Sequence, residues 1–175
     1  MSVRLPSVRG KKMQVAQGEQ RISARSVAIA DRTEIKVLVV DDSADDYKAI
    51  SRLLSRLDGY AVAATRASSG LAARSGIATS RYDVLIADYR LGPETGVDVI
   101  RSIIRQRPVI APILVSGNLS PEVQKAALNA GAIHCIDKDW LTTKTLECAI
   151  RKALDVVFAS AEAAAKAQER PRWLH

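Results

Sequence analysis

The feature that most constrains this chain is a repeated unit: a short apolar run, a polar stop, then a stretch with helical periodicity. Ile35-Lys36-Val37-Leu38-Val39-Val40 stops on Asp41-Asp42, and Tyr82 to Ala87 stops on Asp88. Ala111 to Val115 stops on Ser116-Gly117, and Ala132 to Ile136 leads to Asp137-Lys138. Apolar runs of this length, bounded by turn residues, read as buried strands. Each polar stop then lies at a strand's carboxyl end. If the strands are parallel neighbours, all the polar stops meet on one edge of the sheet, where open α/β sheets bind ligands.

The stretches between the runs carry helix signals. Ser43 is a candidate N-cap, and Asp46 three residues on favours a helix start. That helix is expected to reach Leu57, with Ile50, Leu53, Leu54 and Leu57 on one face. Asp58-Gly59 turns the chain into a short second strand, Tyr60 to Thr65. A weak helix follows over 68–78. Val97, Ile100, Ile103 and Ile104 line a third helix that Pro108 ends, and Ser120-Pro121 opens a fourth that stops near Gly131. Thr142 or Thr143 caps the fifth. Five strand–helix units predict an α/β fold, a five-stranded parallel sheet covered on both faces. The common solution is the flavodoxin-like, doubly wound order 2-1-3-4-5, which brings Asp41, Asp42 and Asp88 together.

The fifth helix is long, reaching about Glu169, or roughly 40 Å at 1.5 Å per residue. Leu146, Ile150, Ala153 and Val157 form one stripe, and Leu154, Phe158, Ala161 and Ala165 a second. One stripe can cover the sheet, so the second is expected to meet another helix. The domain is therefore read as residues 35–158, with an Ala-rich helical extension and tail over 159–175.

With 175 residues and a hydrophobic fraction of 47%, the chain can bury a core. No apolar run approaches the roughly 18 residues of a membrane span. The net charge of +7 is concentrated at one end. Residues 1–34 hold seven Lys/Arg against Glu19, Asp31 and Glu34, whereas 35–158 hold sixteen against fourteen acids. Residues 1–34 read as a basic, flexible extension. No aromatic side chains interleave its charges, which argues against nucleic acid as its partner. Cys135 and Cys148 lack metal-ligand spacing and are expected to be small buried residues in a reducing cytoplasm.

At the converging edge stand three carboxylates, a hydroxyl and an ammonium. Clustered carboxylates repel unless a proton or cation separates them. With no His or Cys nearby, hard oxygen ligands suit Mg²⁺, which binds one or two carboxylates and keeps several waters. This set can support an aspartyl phosphate. Asp88 attacks phosphorus, a metal neutralises oxygen charge, and Lys138 and Ser116 hold the equatorial oxygens.

The stretches VLVVDDS (37–43), LIADYRLGPETG (85–96), ILVSG (113–117) and GAIHCIDKD (131–139) resemble the receiver domain of bacterial two-component response regulators. The resemblance covers about 35–158. It implies that Asp88 accepts phosphoryl from a histidine kinase or histidine phosphotransfer protein. It implies Mg²⁺ on Asp42 and Asp88, with Asp41 acting largely through water and the Arg90 carbonyl completing the set. Ser116 would be the switch hydroxyl and Lys138 the phosphate-binding lysine. Such a protein is a cytoplasmic phosphoacceptor rather than an enzyme. It is expected here to signal by protein contacts without an output domain, with a homodimer through the fourth helix, fifth strand and fifth helix as one possibility. A haloacid-dehalogenase phosphatase also uses an Asp nucleophile but needs a second Asp two residues on, where this chain has Arg90.

Two positions depart from the pattern. Cys135 stands where many receivers carry an aromatic residue that turns inward when the hydroxyl moves. Asp139 stands where many have a proline with a cis bond, and a cis bond before a non-proline costs roughly 2.5–4 kcal/mol. A trans bond is expected. The altered switch position at Cys135 and the long tail helix support an alternative reading, a receiver-like interaction module that works through its long helix without phosphorylation.

Overall fold

The computed structural model describes residues 33–168. The basic extension before Thr33, and the tail after Gln168 with Pro171, lie outside the described residues. Strands and helices alternate: β1 (Thr33–Val40), α1 (Ala44–Leu54), β2 (Tyr60–Ala67), α2 (Gly70–Thr79) and β3 (Val84–Asp88). Two-residue strands β4 (Arg90–Leu91) and β5 (Glu94–Thr95) form a hairpin before α3 (Gly96–Gln106). Then come β6 (Ala111–Ser116), α4 (Pro121–Asn129), β7 (His134–Asp137), a 3₁₀ turn (Lys138–Trp140) and α5 (Thr143–Gln168).

The main sheet is parallel, in the order β2-β1-β3-β6-β7. With the hairpin set aside, this is the expected order 2-1-3-4-5. β3 is central and wholly buried, as its unbroken apolar run requires of a strand covered on both faces. Its side chains alternate between two cores. Val84 and Ile86 join Val37, Val39, Ile113 and Val115 on the side covered by α1 and α5, while Leu85 and Ala87 join Leu38, Val40 and Leu114 on the side of α2, α3 and α4.

Several boundaries differ from the sequence reading for local reasons. α1 stops at Leu54 because its last turn tightens: Arg56 and Leu57 donate to the carbonyls of Leu53 and Leu54. Leu57 stays buried although it lies beyond the helix. β2 runs on to Ala67, since Arg66 and Ala67 keep register with Val39 and Val40. Polar Arg66 made this end look like a loop. Thr142, not Thr143, caps α5, accepting the Thr145 N–H at 3.2 Å. The bond before Asp139 is trans, as expected.

The long helix also sorts its residues differently. Leu154, assigned above to the second stripe, is buried in the same core as Leu146, Ile150, Ala153 and Val157. Phe158, by contrast, is 57% exposed. The expectation of two buried cysteines fails in part: Cys135 is half-buried and Cys148 exposed. Among the described residues no helix is long and apolar enough to cross a membrane.

Candidate phosphoacceptor site

β1, β3 and β7 end side by side with β6, and each delivers one polar group. Asp88 ends β3 and is only 7% exposed. One carboxylate oxygen accepts the Arg90 N–H at 2.8 Å, and the other lies 2.8 Å from Lys138 Nζ. Behind it, Gly96 opens α3. A Cβ there would stand 2.2 Å from the Asp88 carbonyl oxygen, so only glycine lets the helix start this close to the strand end. Thr95 and Asp98 form a capping box over that start, and their bonds hold the Asp98 carboxyl below its usual range.

Asp41 follows β1 and is 1% exposed. Its Oδ1 accepts the Ser43 N–H at 2.8 Å. Its Oδ2 is buried without a hydrogen-bond partner and lies 3.7 Å from Lys138 Nζ. Burial raises the Asp41 pKa, against the pull of the Ser43 N–H and the Lys138 ammonium, with Asp88 and Asp46 adding repulsion. Asp42 behaves differently from the expected tight triad, because its side chain is exposed. Its carbonyl accepts from Arg66 Nη2 at 2.6 Å, and the Asp41 carbonyl accepts from Arg66 Nε at 3.2 Å. One guanidinium thus fixes the main chain of the acidic pair.

Lys138 is the hub. Besides Asp88 and Asp41 it meets Asp46 Oδ2 at 2.5 Å. Burial alone would lower its pKa, but the bonds to Asp46 and Asp88 and the charge of Asp41 raise it above the ordinary lysine value. It is an ammonium at any physiological pH. Asp137 sets its position, accepting the Asp139 N–H at 3.0 Å as cap of the 3₁₀ turn and the Leu119 N–H at 3.3 Å. Ser116 is 3% exposed, and its hydroxyl bonds to the Asn118 backbone, donating to the carbonyl at 3.1 Å and accepting the N–H at 3.2 Å.

Asp88, Asp41 and Lys138 are therefore brought together as the spacing predicted, while Ser116 is satisfied within its own loop. Three contributors went unread. Asp46 reads in the sequence as a helix-start residue, and its bond to Lys138 joins positions 92 apart in the chain. Arg66 was hidden by the shortened β2. Asp137 was seen only as a strand stop.

Among the described residues, no three His, Cys, Asp or Glu side chains are grouped tightly enough to form a metal site by themselves. The chemistry nonetheless fits a hard cation. The unpartnered Asp41 oxygen and the Asp88 carboxylate are oxygen donors with excess negative charge, and Mg²⁺ needs no all-protein cage.

This is the fold of a receiver-type signalling domain. The response regulator receiver domain model matches residues 37–151, and the chain belongs to that family. Phosphorylation and Mg²⁺ binding at the acceptor are general properties of receiver domains, as is interaction with histidine kinases or phosphotransfer proteins. A protein-glutamate methylesterase/protein-glutamine glutaminase of Bradyrhizobium diazoefficiens is 31% identical over 146 residues, covering 81% of this chain and 38% of the relative. One from Caulobacter vibrioides is 33% identical over 140 residues, covering 78% and 38%. The chain thus spans about two fifths of the curated relatives it matches. A receiver domain of an HD domain-containing protein from Pseudomonas fluorescens Pf-5 superposes with a TM-score of 0.63 at 26% identity, covering 73% of this chain and 98% of that one. A receiver domain protein from Clostridium thermocellum gives 0.62 at 27% identity, covering 69% and 94%.

Proposed function

We propose that Asp88 takes a phosphoryl group from a histidine kinase or histidine phosphotransfer protein in the cytoplasm. The observation that carries this reading is the pairing of Asp88 with Lys138 at 2.8 Å, beside a buried Asp41 oxygen that lacks a partner. An Asp88 oxygen attacks phosphorus and forms an O–P bond, while the P–N bond to the donor imidazole breaks and its electron pair stays on the nitrogen. Lys138 shifts from the carboxylate to the transferred oxygens as negative charge builds there. Asp41, Asp42, Asp88 and the Arg90 carbonyl would hold Mg²⁺, which would supply charge neutralisation at the transferred oxygens. The Ser116 hydroxyl leaves the Asn118 backbone to bond a phosphoryl oxygen. Water later attacks the acyl phosphate and returns Asp88 as a carboxylate with free phosphate.

The methylesterase named in the relatives is not assigned to the residues described here, whose fold and site account for phosphoryl acceptance. Signalling by these residues runs through protein contacts, on the face of α4, β7 and α5 where a second copy can also dock. Intact mass after incubation with acetyl phosphate and Mg²⁺ tests the reading. One phosphoryl group is expected on the wild type and none on Asp88→Asn. No addition to the wild type would sink it.

A second reading, an interaction module independent of phosphorylation, is favoured by Cys135 at the usual aromatic position and by the self-satisfied Ser116. Partner binding unchanged by Asp88→Asn would select it.

A further inference from the structure

Asp46 sits in the first turn of α1, its N–H donating to the Ser43 hydroxyl at 3.2 Å. Its side chain crosses to the turn after β7 and makes the shortest of the three contacts on Lys138: 2.5 Å, against 2.8 Å for Asp88 and 3.7 Å for Asp41. The neighbouring Asp45 has the same charge and nearly the same place in the helix, yet it pairs with exposed Lys48 at 2.9 Å. Only one of the two acids therefore reaches the hub. Three carboxylates compete for one ammonium, and the one that holds it most closely lies outside the Asp41–Asp88 pair. A phosphoryl group arriving on Asp88 brings further anionic oxygens that need the same ammonium.

We infer that Asp46 is a positioning residue that restrains Lys138 and so sets the rate at which Asp88 is loaded. The inference rests on the phosphoacceptor reading above. While Asp46 holds the ammonium, part of its charge and of its three N–H donors is turned away from the acceptor. Neutralising Asp46 frees Lys138 for the transferred oxygens and removes repulsion towards an anionic donor. The first effect requires Lys138, and the second does not, which makes the two separable.

The experiment measures initial loading rates from acetyl phosphate or phosphoramidate with Mg²⁺, by intact mass, on the full chain. Asp46→Asn is expected to load about three- to tenfold faster than wild type, the size of removing one partly screened charge at contact range. Asp46→Glu, which restores the carboxylate, should return towards the wild-type rate. Asp45→Asn, equal in charge change and helix position, should stay within about twofold of wild type. In a Lys138→Gln background the gain from Asp46→Asn should shrink to the small charge effect seen with Asp45→Asn, as a double-mutant cycle requires of two coupled groups. An Asp46→Asn rate no higher than that of Asp45→Asn, or a gain that survives at full size without Lys138, overturns this role. A wild type that neither donor loads overturns the phosphoacceptor reading itself, and a wild type that loads while Asp46→Asn changes nothing overturns only the role of Asp46.

Discussion

At the β1–β3 end of the strand edge, Asp41 and Asp88 are buried and face a single ammonium, and Arg66 pins the backbone beside them. At the β6–β7 end, apart from Lys138, which reaches across to those acids, Ser116 bonds to its own loop, Cys135 stands half-buried among apolar side chains, and Trp140 is 74% exposed. The first end is held by opposed charges whose energies fall off steeply with displacement, so few residue types will serve there. The second end is held by packing and local hydrogen bonds, which tolerate substitution. The chain matches the receiver pattern at Asp41, Asp88 and Lys138 and departs from it at Cys135 and Asp139.

Three experiments sharpen or break that contrast. The largest effect is expected from Gly96→Ala. The new Cβ has no room against the Asp88 carbonyl, so urea unfolding should show a loss of about 1–3 kcal/mol, with slower loading of Asp88. An unchanged midpoint would mean that the acceptor end is looser than its distances imply.

Asp41→Asn should act in the opposite sense on stability. A buried acid whose pKa is raised binds its proton more tightly when folded. Its contribution is complete below the ordinary carboxyl pKa and is lost as pH rises through the raised value. At neutral pH the ionised Asp41 is thus a cost, and the neutral amide should stabilise by about 1 kcal/mol while weakening Mg²⁺ binding. Destabilisation instead would show that the attraction to Lys138 outweighs burial.

The smallest effect belongs to the other end. Burial, with Lys152 nearby, lowers the pKa of His134. A base depressed in this way resists protonation when folded. Its stability is therefore complete above the ordinary histidine value of 6.5 and declines as pH falls through that value towards the folded pKa. The decline should be about a few tenths of a kcal/mol, and His134→Gln should flatten it in thermal melts between neutral and mildly acidic pH. A decline of equal size in that variant would place the titration elsewhere.

The sheet order, its covering on both faces and the convergence of Asp41, Asp88 and Lys138 were legible because each rests on a local pattern: apolar runs of strand length, helical spacing, and polar stops at strand ends. What escaped notice depends on register and on side-chain reach. Arg66 acts only because β2 runs two residues further than its apolar run, alongside Val39 and Val40. Asp46 bridges to a residue 92 positions away. Leu154 and Phe158, four residues apart on one stripe, part company, one buried in the core and the other largely in solvent, and helical spacing alone does not separate them.

Asp137 accepts both the Leu119 N–H, just ahead of α4, and the Asp139 N–H, inside the turn that carries Lys138. Two loops with a common anchor have fewer independent motions than two loops held apart. Ordering one removes part of the conformational entropy that the other would otherwise lose later. An event that stills Lys138 would therefore lower the cost of ordering the approach to α4 as well.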